Sequence, residues 1–183
     1  MVLAAGYGKR MRPLTETIPK PMVRLAGRPL IDHVLDRLAE ANVRQAVVNV
    51  HYLADVLEAH LGERAGPPQI AISDERDALL DTGGGLKKAL DRLGPEGFVI
   101  QNSDSVWIED GERNLARLAG VWDPERMDAL LLLADAQGSL GYGGRGDFTL
   151  AEDARLTRRA PDQAAPYVFA GLSIADPRLF ADS

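Results

Sequence analysis

Apolar and polar positions follow two different rhythms along most of the chain. Over residues 30–42, apolar side chains recur at the i, i+3, i+4 and i+7 positions of one helix face, whereas residues 45–50 form a short β-branched run typical of a buried strand. Further strands are predicted at 1–5, 69–73, 98–101 and 128–134, and further helices at 53–61, 83–93 and 114–121. Strands that alternate with helices predict parallel β-α-β units with helices on both faces of one sheet.

The rhythm changes after about residue 136. Glycines crowd the stretch 138–146, and three antiparallel strands joined by turns are then predicted at 148–150, 154–158 and 167–174. We therefore predict an α/β fold: a single Rossmann-like, mostly parallel sheet flanked by helices, with a small antiparallel portion near the C-terminus. The 183 residues fit one domain, 1–183, which this change divides into 1–136 and 137–183.

Composition excludes several classes of protein. The net charge of −6 argues against general nucleic-acid binding, and the absence of cysteine excludes a disulfide framework and thiolate metal sites. The longest apolar run, 129–134, is too short to cross a bilayer, and no basic stretch precedes the apolar residues at the start as in a signal peptide. We expect a cytoplasmic protein that binds neither nucleic acid nor membrane; its oligomeric state is left open.

Charge is distributed unevenly along this acidic chain. Residues 1–28 carry six basic side chains and one acidic side chain, Glu16. The basic residues are Lys9, Arg10, Arg12, Lys20, Arg24 and Arg28. Such a segment is typical of a site for a small polyanion, or of a solvated basic loop, and charge alone favours neither.

Three short motifs point to phosphate chemistry. The first predicted strand runs into L-A-A-G-Y-G-K-R-M at residues 3–11, where glycines allow backbone N–H groups to approach a phosphate or simply form a turn. Prolines stiffen the chain on both sides of Lys20, which favours a fixed cation. Asp104 follows a hydrophobic strand directly, where a carboxylate serves either as a Mg²⁺ ligand or as a turn cap.

Together these motifs resemble the sugar-nucleotidyltransferase family. Position 11 is methionine, which excludes the G-x-G-x-x-G dinucleotide pattern, and the loop lacks the G-K-[ST] ending of a P-loop. The resemblance extends over nearly the whole chain, through P-K-P at 19–21, G-R-P-L-I at 27–31, D-T-G-G-G at 81–85, N-S-D at 102–104, G-R-G-D-F at 144–148 and F-A-G at 169–171. Within the family it is strongest to the N-acetylmuramate-1-phosphate uridylyltransferases, and mannose-1-phosphate guanylyltransferases are close relatives.

The resemblance implies a nucleotide site in residues 1–136 and a sugar-binding portion in 137–183. The nucleoside triphosphate would be held by the backbone of Leu3, Ala4, Ala5, Gly6 and Gly8, with Glu75 and Gly83 beside the nucleobase. Arg10 would contact the triphosphate, Lys20 would contact the phosphates at the reacting centre, and Asp104 would be both a catalytic residue and the ligand of the cofactor Mg²⁺.

The sugar 1-phosphate would lie near Asn49, Asp147 and Gly171. The sequence departs from the family in two ways. Ser103 replaces the usual glycine of N-G-D, and the second metal-binding aspartate of the family is expected beyond Ser183, so the chain as given is expected to be incomplete for catalysis. UTP with N-acetylmuramate 1-phosphate is the preferred reaction; guanylyl transfer to mannose 1-phosphate and an inactive sugar-nucleotide sensor are the alternatives.

Overall fold

The computed structural model describes residues 1–109 and 111–180, so the predicted domain boundary at Ser183 lies outside the described residues. The strands are β1 (Val2–Leu3), β2 (Arg24–Leu25), β3 (Arg28–Pro29), β4 (Gln45–Val50), β5 (Gln69–Asp74), β6 (Phe98–Asn102), β7 (Ala129–Asp135), β8 (Phe148–Leu150), β9 (Leu156–Arg158) and β10 (Tyr167–Ala175). The helices are α1 (Leu30–Glu40), α2 (Ala54–Gly62), α3 (Thr82–Leu93) and α4 (Asn114–Val121).

Four strands build the parallel part of the main sheet, in the order β5-β4-β1-β6. The chain moves outward from β1 to β4 and β5 and then returns to the other side of β1 with β6. This reversal makes the carboxyl ends of β1 and β6 a topological switch point, the place where open α/β sheets bind ligands.

Apolar side chains point to both faces of the sheet, and helices pack against them on each face. On one face Val2, Val48 and Leu172 pack with α1, α2 and α4, and on the other Met1, Val47 and Ile100 pack with α3 and the short 3₁₀ turn Pro177–Phe180. The predicted α/β architecture with helices on both faces is therefore confirmed. In the described residues no helix has the length and apolarity that a membrane crossing requires.

The antiparallel strands extend this sheet. β10 pairs along one edge with β7 and along the other with β6 and β8, so β7 runs in the same direction as β6 but is separated from it by β10. The sequence predicts this strand, at 128–134, but does not predict that β10 separates it from β6. The last four residues of β10, Leu172 to Ala175, are buried where the strand pairs with both β6 and β7.

The segment between β1 and α1 contains structure that the sequence pattern does not predict. It forms three 3₁₀ turns, Lys9–Met11, Leu14–Glu16 and Lys20–Met22, and then the hairpin of β2 and β3. Ala26 and Gly27 both have positive φ, at 50° and 81°, as a tight two-residue hairpin turn requires. Elsewhere the differences are at element ends: β1 is shorter than predicted, α1 ends at Glu40, and β9 begins at Leu156.

Candidate active site

A cleft of about 360 Å³ opens at the switch point, above the carboxyl ends of β1 and β6. Most of the residues predicted for the nucleotide and the catalytic centre line it, namely Leu3, Ala4, Ala5, Gly6, Arg10, Lys20 and Asp104. Asn49, predicted for the sugar phosphate, lines it too. Its other lining residues are Pro21, Leu79, Leu80, Asp81, Thr82, Asn102 and Ser103. The parallel topology thus brings together segments from separate parts of the chain.

Gly8 shapes the loop that leaves β1. Its φ of +63° suits glycine, and a Cβ there would lie 3.0 Å from Thr15 Cγ2 and 3.1 Å from Lys20 Cβ. The Gly8 carbonyl accepts hydrogen bonds from the Met11 N–H and the Thr15 hydroxyl, both at 2.9 Å. Gly8 therefore folds the loop back onto Thr15 and Lys20, which leaves Arg10 at the cleft wall.

Lys20 and Asp104 form an ion pair in the cleft, although 84 residues separate them in sequence. Pro19 precedes the 3₁₀ turn that carries Lys20, and Pro21 is buried behind it, so the lysine backbone is fixed on both sides. Asp104 follows β6, whose end is held by the Ser103 N–H donating to Leu3 O at 3.1 Å. The two side chains remain 25% and 28% exposed, so both are accessible to a ligand.

Beneath the cleft lies a buried polar network. Asn49, 5% exposed, accepts the Ala4 N–H at 2.7 Å through Oδ1 and donates through Nδ2 to Glu75 Oε1 at 2.9 Å. Glu75, 1% exposed, also accepts the Leu80 N–H at 3.1 Å. The sequence predicts Glu75 beside the nucleobase and Asn49 near the sugar phosphate, and both roles stay predictions. In the structure Glu75 is buried outside the cleft lining, and Asn49 lines the cleft and binds the Ala4 N–H.

An aromatic cluster supports the outer side of the loop. His51 Nδ1 lies 2.7 Å from the Glu75 carbonyl, which only accepts, so Nδ1 carries a proton. In the neutral ring, Nε2 then accepts from the Tyr7 hydroxyl at 3.1 Å. Tyr52 donates to the carbonyl of Thr15 at 2.9 Å, and its ring lies against Tyr7 at 5.4 Å between centroids. These contacts join the loop to the end of β4.

Two of the three residues predicted for the sugar, Asp147 and Gly171, lie in the antiparallel part, outside the lining of this cleft. Asp147 accepts the Phe169 N–H at 3.0 Å, so one carboxylate oxygen fixes β10. Gly171, at φ +82°, lies against Ser105 and Asn102, and a Cβ would overlap Ser105 Oγ. Gly171 therefore lies beside the turn that follows β6 and contains Asp104. Asp147 directly precedes β8, which pairs with the other end of β10.

On the opposite wall of the cleft, sequence reasoning predicted a role for Gly83 but assigned none to Asp81 and Thr82, which line it. Asp81 and Thr82 begin α3, and the Asp81 side chain makes no capping bond there. Gly83 follows in the first turn, with open space where a Cβ would point. The free N–H groups of this turn favour an anion or a base edge. The sequence signal that could have identified this wall is the polar pair Asp81-Thr82 directly before the glycine run at the start of α3.

The loop after Asp104 is fixed by a second buried carboxylate. Glu109, 8% exposed, accepts Trp107 Nε1 at 2.9 Å, the Asn114 N–H at 2.8 Å and Arg37 at 3.0 Å. Burial alone would raise the pKa of Glu109, but these hydrogen bonds and the charges of Arg37 and Arg113 hold it below its ordinary value. The Asp104 turn is therefore anchored to α1 and α4.

The donors around Asp104 fit a magnesium ion. Residues 1–109 and 111–180 contain no cluster of three or more His, Cys, Asp or Glu side chains suited to a metal. Mg²⁺ usually takes only one or two protein carboxylates and completes its shell with phosphate oxygens and water. A single accessible carboxylate beside a phosphate-sized cleft is compatible with that mode of binding.

Comparison with known proteins gives one consistent result. The family model for nucleotidyl transferase matches residues 1–143. The chain is 49% identical over 185 residues to N-acetylmuramate alpha-1-phosphate uridylyltransferase of Caulobacter vibrioides, covering 100% of this chain and 76% of that protein. It is 35% identical over 181 residues to the enzyme of the same name from Neisseria meningitidis serogroup B, covering 98% and 76%. The fold is similar to UDP-glucose pyrophosphorylase complexed with UDP-glucose, with TM-score 0.76, 18% identity, and 98% and 76% of the two chains covered.

Proposed function

Because the chain belongs to the nucleotidyl transferase family, we propose that it transfers the uridylyl group of UTP to N-acetylmuramate α-1-phosphate and releases pyrophosphate. Nucleotidyl transfer to a sugar 1-phosphate is the reaction class of this enzyme. The choice of UTP and the muramyl sugar rests on one observation, the likeness over the full chain to uridylyltransferases of that name.

The reaction joins two anions, so the enzyme must offset their repulsion. A phosphate oxygen of the sugar 1-phosphate attacks the α-phosphorus of UTP, and the bond between that phosphorus and the bridging oxygen of pyrophosphate breaks. Arg10 at the cleft wall and Lys20 at its centre supply positive charge where negative charge accumulates. The loop 3–8 positions the nucleotide, and such transfers depend on positioning together with charge stabilisation.

We propose that Asp104 holds Mg²⁺ together with substrate phosphates. The ion supplies further charge neutralisation on the triphosphate when it is bound. In this structure the carboxylate is paired with Lys20. Once phosphates enter the cleft, the Lys20 ammonium is free to leave Asp104 for a phosphate oxygen, because both groups are reached from the same opening.

The test is pyrophosphate release by protein extended past Ser183, with Mg²⁺ and four substrate pairs. UTP or GTP is combined with N-acetylmuramate 1-phosphate or mannose 1-phosphate. The expected result is turnover with UTP and the muramyl sugar only. Turnover with GTP and mannose 1-phosphate would replace the proposed substrates with those of a guanylyltransferase, and tight nucleotide binding without turnover of any pair would identify a sensor.

We also propose that the reaction takes place in the cytoplasm and serves peptidoglycan recycling. UTP is a cytoplasmic metabolite, and muramyl phosphates arise from cell-wall sugars. After cell lysis and fractionation, the UTP-dependent activity is expected in the cytoplasmic fraction. Recovery of that activity with the membranes or the periplasm would contradict this placement.

A further inference from the structure

We infer that Glu75 is a positioning residue which couples the two walls of the nucleotide cleft and thereby sets the affinity for the nucleoside triphosphate. The inference rests on the proposed function, since it concerns how the same cleft is held ready for UTP. Glu75 acts through its neighbours, because its side chain is buried and does not line the cleft.

One carboxylate reaches both walls. Through Oε1 it accepts from Asn49, which in turn accepts the Ala4 N–H at the start of the glycine loop. Through Oε2 it accepts the Leu80 N–H, just ahead of the first turn of α3. Ala4 belongs to one wall and Leu80 to the other, so the separation of the walls is fixed by a continuous chain of three hydrogen bonds.

The donor and acceptor pattern of this chain admits only one arrangement. Both ends are backbone N–H donors, at Ala4 and Leu80. Asn49 must therefore face Ala4 with its oxygen, which turns its NH₂ group toward Glu75. Residue 75 must then accept twice, once from Asn49 and once from Leu80, and a carboxylate does this whereas an amide accepts only on one side.

The surroundings leave the carboxylate no alternative position. Gly85 lies in α3 directly above it, and a Cβ on Gly85 would lie 2.8 Å from Glu75 Oε1 and 3.2 Å from Asn49 Nδ2. The Glu75 N–H donates to Val50 O at 2.8 Å, and its carbonyl accepts from His51. The first turn of α3 is favourable for the negative charge. Main chain and side chain of Glu75 are thus both fixed.

The decisive experiment moves the charge along the chain of hydrogen bonds. Glu75→Gln keeps the shape but places an NH₂ group against one of two donors. Asn49→Asp places two carboxylates side by side. The double variant Glu75→Gln with Asn49→Asp restores every pairing. Its carboxylate, now at position 49, accepts from both the Ala4 N–H and the new amide at position 75, and the oxygen of that amide accepts the Leu80 N–H.

Affinity for UTP is measured by calorimetric titration without sugar phosphate, at a temperature well below the unfolding transition of each variant. Glu75→Gln is expected to weaken UTP binding about tenfold, the effect of one lost hydrogen bond to a charged group, and Asn49→Asp to weaken it further. The double variant is expected to return to within about threefold of the wild type. In Glu75→Gln, whose altered side chain does not line the cleft, the KM for sugar phosphate is expected to stay unchanged, and Asp77→Asn, an exposed acid of the same loop, is the control.

Three results would overturn the inference. They are unchanged UTP affinity in Glu75→Gln, no recovery in the double variant, and equal losses of affinity for UTP and sugar phosphate in Glu75→Gln, which indicate a general distortion of the site. Failure of the proposed function is separate, since it appears as wild-type protein that does not bind or use UTP. In that case the nucleotide that the wild type does bind is titrated against the same series.

Discussion

The parallel and antiparallel parts of the sheet hold their polar residues in different ways. In the parallel part, side chains far apart in sequence converge at one edge, and Lys20 and Asp104 meet in an accessible cleft. In the antiparallel part, Asp147 binds the backbone N–H of Phe169, and Arg159 donates to Gly146 O at 2.7 Å. Strand topology locates reactive groups in the first part, whereas in the second the same residue types stabilise loops.

Asp104→Ala is the strongest test of the accessible cleft in the parallel part. Removing the carboxylate is expected to lower pyrophosphate release about a thousandfold, the upper range for loss of one electrostatic contact at a reacting centre. The response to Mg²⁺ concentration is expected to disappear. Asp91→Ala, an exposed acid on α3, is the matched control. An unchanged Mg²⁺ titration in Asp104→Ala would show that the metal is held elsewhere.

Lys20→Ala is expected to lower turnover about a hundredfold with the fold intact. The fold is expected to survive because the ion pair is partly exposed, and such pairs contribute little to stability. Pyrophosphate release and thermal unfolding are measured together, with the exposed Lys87→Ala as control. Wild-type turnover in Lys20→Ala would contradict its placement at the reacting centre.

Gly171→Ala tests whether close backbone packing holds β10 of the antiparallel part against the turn after β6. A Cβ at φ +82° would be strained and would overlap Ser105 Oγ, so the free energy of unfolding is expected to fall by about 2 kcal/mol. Denaturant unfolding measures this loss. Gly143→Ala has open space around the added Cβ and is expected to unfold like the wild type. Equal stability of both variants would mean that Gly171 does not need to be glycine.

Glu109→Gln gives the smallest expected effect and tests the loop between β6 and α4. Because the folded pKa of Glu109 is lowered, its stabilisation is complete above the unfolded value of about 4.3 and is lost as the pH falls through the folded value. The variant is expected to be about 1 kcal/mol less stable at neutral pH. Denaturant unfolding at neutral and acidic pH should show this difference shrinking in acid; the exposed Glu112→Gln serves as control. A difference that does not change with pH would rule out the charge of Glu109 as its cause.

The regular elements could be predicted because their signals are local. The apolar spacing of α1 and the β-branched run of β4 depend only on neighbouring residues, and both lie where the sequence predicts them. The 3₁₀ turns around Pro13 and Pro21 have no periodic pattern from which they could be predicted. The turn of the β2–β3 hairpin consists of Ala26 and Gly27, which lack the usual Asn-Gly signal. The insertion of β10 beside β6 depends on contacts between residues distant in sequence, such as Leu172 with Gln101.

The candidate site was predictable to a similar degree, and the roles of its residues remain predictions. Residues at strand ends, such as Ala4 and Asp104, are placed in one cleft by a topology that the alternating pattern implies. Burial of Glu75 was not predictable, because a charged residue directly after β5 is equally compatible with exposure. Asp81 escaped notice because its importance depends on where α3 begins in space.

β1 is an inner strand of the parallel part, and this position determines the order in which the sheet can form during synthesis. Val2 pairs with Val48 on one side and with Gln101 on the other. At translation rates of about 5–20 residues per second, Gln101 follows Val2 out of the ribosome by roughly 5–20 seconds. During that interval the first strand has at most one of its two neighbours, and the cleft lacks Asp104. The parallel sheet and the cleft are therefore completed at nearly the same point of synthesis, when residues 101–104 of the 183 have emerged.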